Sequence, residues 1–544
     1  TGVCALPNGI VTARYGFIHT LYQEVVYQRV AAGRRVRLHQ LIGERVEEVY
    51  GERASEVAAE LAMHFEQGHD YRRAVKYLRQ TARNHSLRYA NREAIAYLSR
   101  ALKLVERWPA SERAEERIAT LEQVGLARIA MGEMAVAADD FAALADYARE
   151  QGRMEDEAMA LDHQATALSW VDRERCLAAA ERFVTLSRGA DDDHLQAHAR
   201  GCWGYWQVLF HAWGDEHAEA LARAITASRR AGDRAKTGLH LARCSFFECL
   251  RADYTAACHA AEEGARLALE LSDAHSFLLS QYYLAWGLLH LGRWGEMSRI
   301  LGKGLEMAER NESHRWTVLY QLELAWLHEQ AFDFEAAREM CQRAHEQALK
   351  IGHPYTESLS LILLGMARLG LGQREAAFRC FGEVAARLDR ERVLMDWILR
   401  LLLHDGLSRY WLAQGELAQA RREAEALREL AAPPGERSYL ALAHRTLAEI
   451  AMAAGRWDEA ENEVSRALAA LEGKDAPSAE WRVCATAAQL YEQLGHIAEA
   501  ARHWRRSADA LDRLAESLGE DDQLRESLNT DPSAQLIQRR ARAR

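Results

Sequence analysis

Seven stretches of the chain, each aligned on the turn it contains, superpose at a spacing of forty residues. With Ala252, Gly292, Phe332, Gly372, Gly415, Gly455 and Gly495 as position zero, the steps are 40, 40, 40, 43, 40 and 40. Five residues after zero stand Ala257, Met297, Ala337, Ala377, Ala420, Ala460 and Ala500; seven before it stand Ser245, Ala285, Ala325, Gly365, Ser408, Ala448 and Ala488. Small residues in both columns let two antiparallel helices approach closely, and apolar neighbours such as Leu284, Leu324 and Leu364 fill the seams between repeats. The zero position wants a residue that tolerates a tight turn, as glycine does. A unit of this kind cannot bury its apolar face alone, so its neighbours must stack on it. A period of about 20–50 residues is the mark of a solenoid.

Two residues after zero come Tyr254, Trp294, Phe334, Arg374, Leu417, Trp457 and Ile497. This order of small, turn, aromatic and alanine positions resembles the tetratricopeptide repeat, whose usual length is about 34 residues. The longer period implies helices of roughly 16 or 17 residues. The expected fold is therefore all-α, a right-handed superhelical solenoid of tetratricopeptide-like helix pairs. Composition agrees: the seven prolines of 544 residues all sit at breaks between expected helices. Nine cysteines without a C-x-x-C pair fit neither a disulfide framework nor a zinc ribbon, so a reducing, cytoplasmic setting is expected. No membrane span is expected, because no apolar run reaches the length one needs. Nothing at the start looks like a signal peptide. A net charge of −11 and a pI near 6.1 weigh against nucleic-acid binding, which needs clustered lysine and arginine. The exception is a short tail holding Arg539, Arg540, Arg542 and Arg544, expected as a solvated, frayed end.

Four regions separate along the chain. Residues 1–55 do not follow the repeat: Ile10 to Tyr15 reads as a short strand after an Asn8-Gly9 turn, followed by helices near 20–30 and 34–50. Residues 56–110 are transitional, with His69, Tyr71 and Ala74 in the turn, aromatic and alanine columns. The solenoid is expected over 111–518, where Gly125, Gly132, Met134 and Ala137 fit well and the repeats around Asp172 and Ala212 are degenerate. Residues 519–544 form a tail.

The start of the chain carries a second resemblance. The stretch Arg14-Tyr15-Gly16-Phe17-Ile18-His19-Thr20-Leu21-Tyr22, continuing to Tyr27, then Gly33 to His39 and the run to Arg53, resembles the winged-helix end of the ATPase core in bacterial signalling ATPases of the STAND class. Ala58 to Glu66 and Asp70-Tyr71-Arg72-Arg73-Ala74 are similar to the first repeat after that core, and Leu524-Arg525-Glu526-Ser527-Leu528 to a closing motif of the same proteins. The resemblance implies a piece of a longer protein in which the repeats act as a regulatory sensor arm for a nucleotide switch. ATP or ADP would then belong to the parent core, self-association would run through it, and the output would be an effector such as a cyclase or a DNA-binding domain. It also makes His19 the candidate for contact with nucleotide phosphates. No G-x-x-x-x-G-K-[ST] loop occurs in the 544 residues, so no ATP hydrolysis and no cofactor are expected of this segment. The alternative is a freestanding interaction scaffold with no enzymatic partner.

No catalytic constellation is legible, and no metal site is expected. His194 and His198 share a helix face at i, i+4, with His211 and His217 nearby, but no H-E-x-x-H accompanies them. What remains is a binding surface. The column six before the turn tends to face the concave groove of a tetratricopeptide array, and here it reads Trp206, Phe246, Trp286, Trp326, Met366, Arg409, Glu449 and Gln489. The four aromatics, with Tyr282, His290 and Tyr320 beside them, are candidate anchors for a protein, a peptide or a small-molecule inducer. If the lengthened helices rotate that face, the same column is ordinary core between repeats.

Overall fold

The computed structural model describes residues 2–5, 11–14, 20–88, 90–210, 213–310, 312–519 and 522–543. His19, the turn Asn8-Gly9, His211 and Ala212 lie outside the described residues. The chain divides into two compact units, Thr1–Ala167 and Leu168–Arg544. The division falls just ahead of Asp172, where the repeat columns lose their residues.

In the first unit, Gly2–Ala5 pairs antiparallel with Val11–Arg14, the strand expected over 10–15. The helices Thr20–Arg29 and Ala32–Tyr50 follow, close to the expected spans. The helix Ala58–Gln67 then pairs with Tyr71–Ser86 across a turn at His69, whose φ of 61° is left-handed, and the Asp70 carboxylate caps the second helix by accepting from the Arg73 N–H at 3.1 Å. Leu61, Phe65, Ala74, Tyr77 and Leu78 form the core of this pair, with Phe65 stacked on Tyr77 at 5.7 Å. A second pair, Ala114–Met131 and Met134–Glu150, turns at Gly132.

The second unit shows why the columns exist. From Arg234–Leu250 to Trp457–Leu471 the paired helices run 15 to 18 residues. Every zero residue is left-handed: Gly292, Gly372, Gly415, Gly455 and Gly495 at φ 68–77°, Ala252 at 52° and Phe332 at 64°. Such a turn is easy for glycine, whereas a Cβ there costs about 1–2 kcal/mol. The alanines five residues later are buried, as are the small residues seven before the turn. Gly365 shows what they avoid: a Cβ on it would meet Cε1 of Phe381 at 2.5 Å.

The pairs wind until the array meets itself. The last carbonyls of a helix have no partner within it, and here several are capped by donors from far along the chain. The indole N–H of Trp397 donates to the Val208 carbonyl at 2.8 Å, the Met395 N–H to that of Leu209 at 2.9 Å, and the Ser478 hydroxyl to that of Leu289 at 2.6 Å. The Tyr254 hydroxyl likewise bonds Glu436 and Ser438, and the Gln523 amide donates to Asp333 at 2.9 Å. These partners are 182 to 190 residues apart. The single 43-residue step is part of the arrangement, because the extra residues fall where Val393, Leu394 and Met395 are buried and Met395 makes its bond to Leu209.

The tail differs from expectation. Pro532–Arg542 is a helix with Ala534 and Ile537 buried and Arg540 on Glu492 at 3.3 Å, rather than a frayed end. Its start was readable in Asp531-Pro532: the carboxylate caps the Ser533 N–H at 2.8 Å, and proline fits the first turn, where no N–H is needed.

Candidate ligand-binding cavity

The two halves of the six-before-turn column meet different surroundings in the second unit. Trp206, Phe246, Trp286 and Trp326 are all at most 5% exposed, and Tyr282 and Tyr320 are as deeply buried. Their rings pack on one another: Phe246 on Tyr283 at 5.0 Å and on Trp286 at 6.1 Å, and Trp286 on Trp326 at 6.4 Å. The tyrosine hydroxyls are satisfied from within, whereas the Trp206 indole N–H has no acceptor among the described residues. The Tyr205 and Tyr283 hydroxyls bond at 2.7 Å, Tyr282 and Tyr355 at 3.1 Å, and the Tyr320 hydroxyl donates to the Leu278 carbonyl at 2.8 Å. The aromatic candidates thus form a core; of the seven named from sequence, His290 and Trp326 also line an open space.

That space is a cavity of about 470 Å³ lined by the rest of the column, Trp326, Met366, Arg409, Glu449 and Gln489. The opposite side comes from later in the winding: Tyr439 and Ser478 stand against His290, whose ring meets Tyr439 at 6.0 Å, and Trp481 lies on Phe332 at 5.7 Å. Asp531, Ser533, Leu536 and Ile537 of the C-terminal helix complete the wall. Repeat spacing carries no signal for these partners, because they come from about four to five repeats away.

The electrostatics of the two halves contrast as well. His290 is held neutral, its pKa drawn down to about 3 by burial, so its Nε2 accepts from the Trp286 indole N–H at 2.9 Å. Burial lifts Glu323 to about 8 and Glu436 to about 7. Arg315 is buried with none of its three guanidinium nitrogens hydrogen-bonded among the described residues, held over the Trp170 ring at 4.0 Å, and burial draws it down to about 9. In the cavity, by contrast, the carboxylates of Glu329, Asp405 and Glu449 are paired with guanidiniums. Arg409 lies on Glu329 at 3.5 Å and Asp405 at 3.6 Å, and Arg445 on Glu449 at 2.7 Å. Arg482 donates to the Ser478 carbonyl and lies over the Trp481 ring at 4.5 Å.

The histidine pair singled out by spacing separates. His194 sits 3.7 Å from Asp233, while His198 is buried, bonded to His240 at 2.8 Å and 3.6 Å from the Cys202 sulfur. His217 packs against Trp203. His198, Cys202 and His240 are the one group among the described residues whose ligand atoms converge, within 4.8 Å of one another. The Arg243 guanidinium stands 2.8 Å from the Cys202 sulfur, placing a positive charge where a cation would have to sit. No helix among the described residues is long and apolar enough to cross a membrane.

No protein-family model and no curated protein matches the chain. Among solved structures, a Rap protein complexed with competence and sporulation factor is similar at 13% identity and a TM-score of 0.51, over 66% of this chain and 99% of its own. The APC/C hetero-tetramer Cut9-Hcn1 is similar at 13% identity and a TM-score of 0.45, over 96% of this chain and 95% of its own. The Rap conjugation gene regulator of plasmid pLS20 in complex with the Phr* peptide follows at 14% and 0.44, over 68% and 96%. At such identities the first likeness speaks to fold, and the fold it shows is an all-α superhelical solenoid of the tetratricopeptide type.

Proposed function

We propose that the chain is the sensor arm of a bacterial signalling ATPase, and that its second unit holds a peptide, a protein segment or a small inducer in the cavity between Trp326 and Trp481. The observation that carries the binding half of this reading is the cavity itself. Its volume is in the range of ligand sites, its wall mixes rings with a few convergent polar groups, and the later half of the column lines it. The Rap protein similar in fold is complexed with competence and sporulation factor, which accords with this use of the architecture. The switch half rests on the resemblance of residues 14–74 to the end of a STAND core, with His19 as the candidate nucleotide contact and ATP or ADP bound by the parent.

Selection of a displayed library of random 12-residue peptides, and affinity mass spectrometry with a metabolite extract, test the binding half. Gln489 is exposed and lines the cavity, so Gln489→Trp fills the space without touching the core. Ligands that bind the native chain and are lost on Gln489→Trp support the reading; ligands indifferent to it place the site elsewhere. For the switch half, a coding sequence that runs upstream of Thr1 into a G-x-x-x-x-G-K-[ST] loop supports the ATPase parent, and any other upstream sequence favours a freestanding scaffold.

A further inference from the structure

Three guanidiniums face the cavity, and one of them is left over. Glu329 and Asp405 share Arg409, and Glu449 holds Arg445. The Asp531 carboxylate is turned to the N–H groups of Ser533 and Ala534. Arg482 has no carboxylate within ion-pair distance among the described residues; its one hydrogen bond goes back to the carbonyl of Ser478, four residues earlier in its own helix. Its neighbour in the wall is also incomplete. Trp481 is buried and lines the cavity, and its indole N–H has no acceptor among the described residues. A buried donor left without an acceptor costs about 1–3 kcal/mol.

We propose that Arg482 and the Trp481 N–H bind the carboxylate of an organic monoanion whose apolar body lies against Trp326, Phe332 and Met366. The proposal rests on the cavity reading above and adds the chemistry of the ligand. A planar guanidinium with unused donors matches a carboxylate in a two-pronged bond, and a second donor on the adjacent residue completes the set. Burial is the main influence that draws Arg482 down, to about 10, with Arg409 and Arg445 pushing the same way against Glu329 and Asp405; it stays charged at neutral pH. The carboxylates of Glu329, Asp405 and Glu449 around the same space disfavour a dianion, so phosphate is a poor ligand. The carboxylate can come from a free small acid or from the C-terminus of a peptide.

Titration calorimetry on the full chain separates these cases with four probes: 3-phenylpropionate, its amide, and the peptide Ala-Gly-Leu-Phe with a free or an amidated C-terminus. In at least one pair the acid binds about 30-fold or more tighter than the amide, as a charge-assisted bond requires. Arg482→Gln removes that preference and leaves the amide's affinity unchanged; Arg482→Lys keeps part of it. Trp481→Phe, which retains the ring, weakens the acid several-fold. Inorganic phosphate does not compete. Preference confined to the small pair assigns a free acid, and preference confined to the peptide pair assigns a chain terminus. Equal binding of acid and amide, a preference that survives Arg482→Gln in a chain with native circular dichroism, or no binding by any probe overturns the proposal. The cavity reading is judged separately, by the library selection and Gln489→Trp.

Discussion

From Trp206 to Trp286 the column is packed shut, and from Trp326 to Gln489 it lines a space, although both stretches belong to one repeat. The difference lies in what each side chain loses on burial. Indole and phenyl rings gain from every neighbour they cover, so four repeats of them collapse on one another and exclude water. A guanidinium or carboxylate gives up hydration that packing does not return, so Arg409 and Glu449 keep part of their surface wet and hold the walls apart. Within a solenoid, then, residue type at one column position selects between a strut and a vessel.

The largest test of that contrast is Trp286→Ala beside Gln489→Ala. Removing a fully packed ring is expected to cost about 3–5 kcal/mol by denaturant unfolding, and the change at exposed Gln489 less than about 0.5 kcal/mol. Similar losses at both sites would mean that the halves are built alike. Next comes Glu436→Gln, at the junction where Glu436 meets Tyr254 of the closed half. Burial raises this carboxyl to about 7 from its ordinary 4.5. The stability tied to its protonated form is therefore present below pH 4.5 and lost as pH rises through 7. The glutamine variant should match the native chain in acid and gain on it by on the order of 2–3 kcal/mol between those limits. A pH-independent difference would place the carboxyl outside the buried junction. Arg315→Met in the closed half should stabilise by about 1–2 kcal/mol, because the cation there is buried without a hydrogen bond among the described residues. A loss instead would mean that the Trp170 contact outweighs desolvation. The smallest effect expected is from Ala252→Gly, which relieves a left-handed alanine and should gain about 0.5 kcal/mol.

The fold was legible because its determinants are local. Gly292 or Gly455 at zero, alanine five later and a small residue seven before state the turn and the close approach of two helices within a single repeat. Whether the column opens was not legible, because the surfaces that cover it come from one winding later: Tyr439 and Ser478 on His290, Trp481 on Phe332. Period alone says nothing of them. The unpaired state of Arg482 was hidden likewise, since it depends on Glu449 taking Arg445 and on Glu329 and Asp405 sharing Arg409. Asp531-Pro532, by contrast, was a local helix start that the run of tail arginines obscured.

The 43-residue step carries a consequence for how such an array can change length. Removing residues 393–395 would make the sequence more periodic and the molecule less sound, since the Leu209 carbonyl would lose the Met395 N–H. Adding one whole repeat anywhere between Val208 and Trp397 would offset the caps by a full unit and strand the donors opposite the wrong helix ends. An open solenoid grows or shrinks a repeat at a time at little loss. This one is gauged like a key, and insertions or deletions within the winding should be tolerated only in the turns that face away from it.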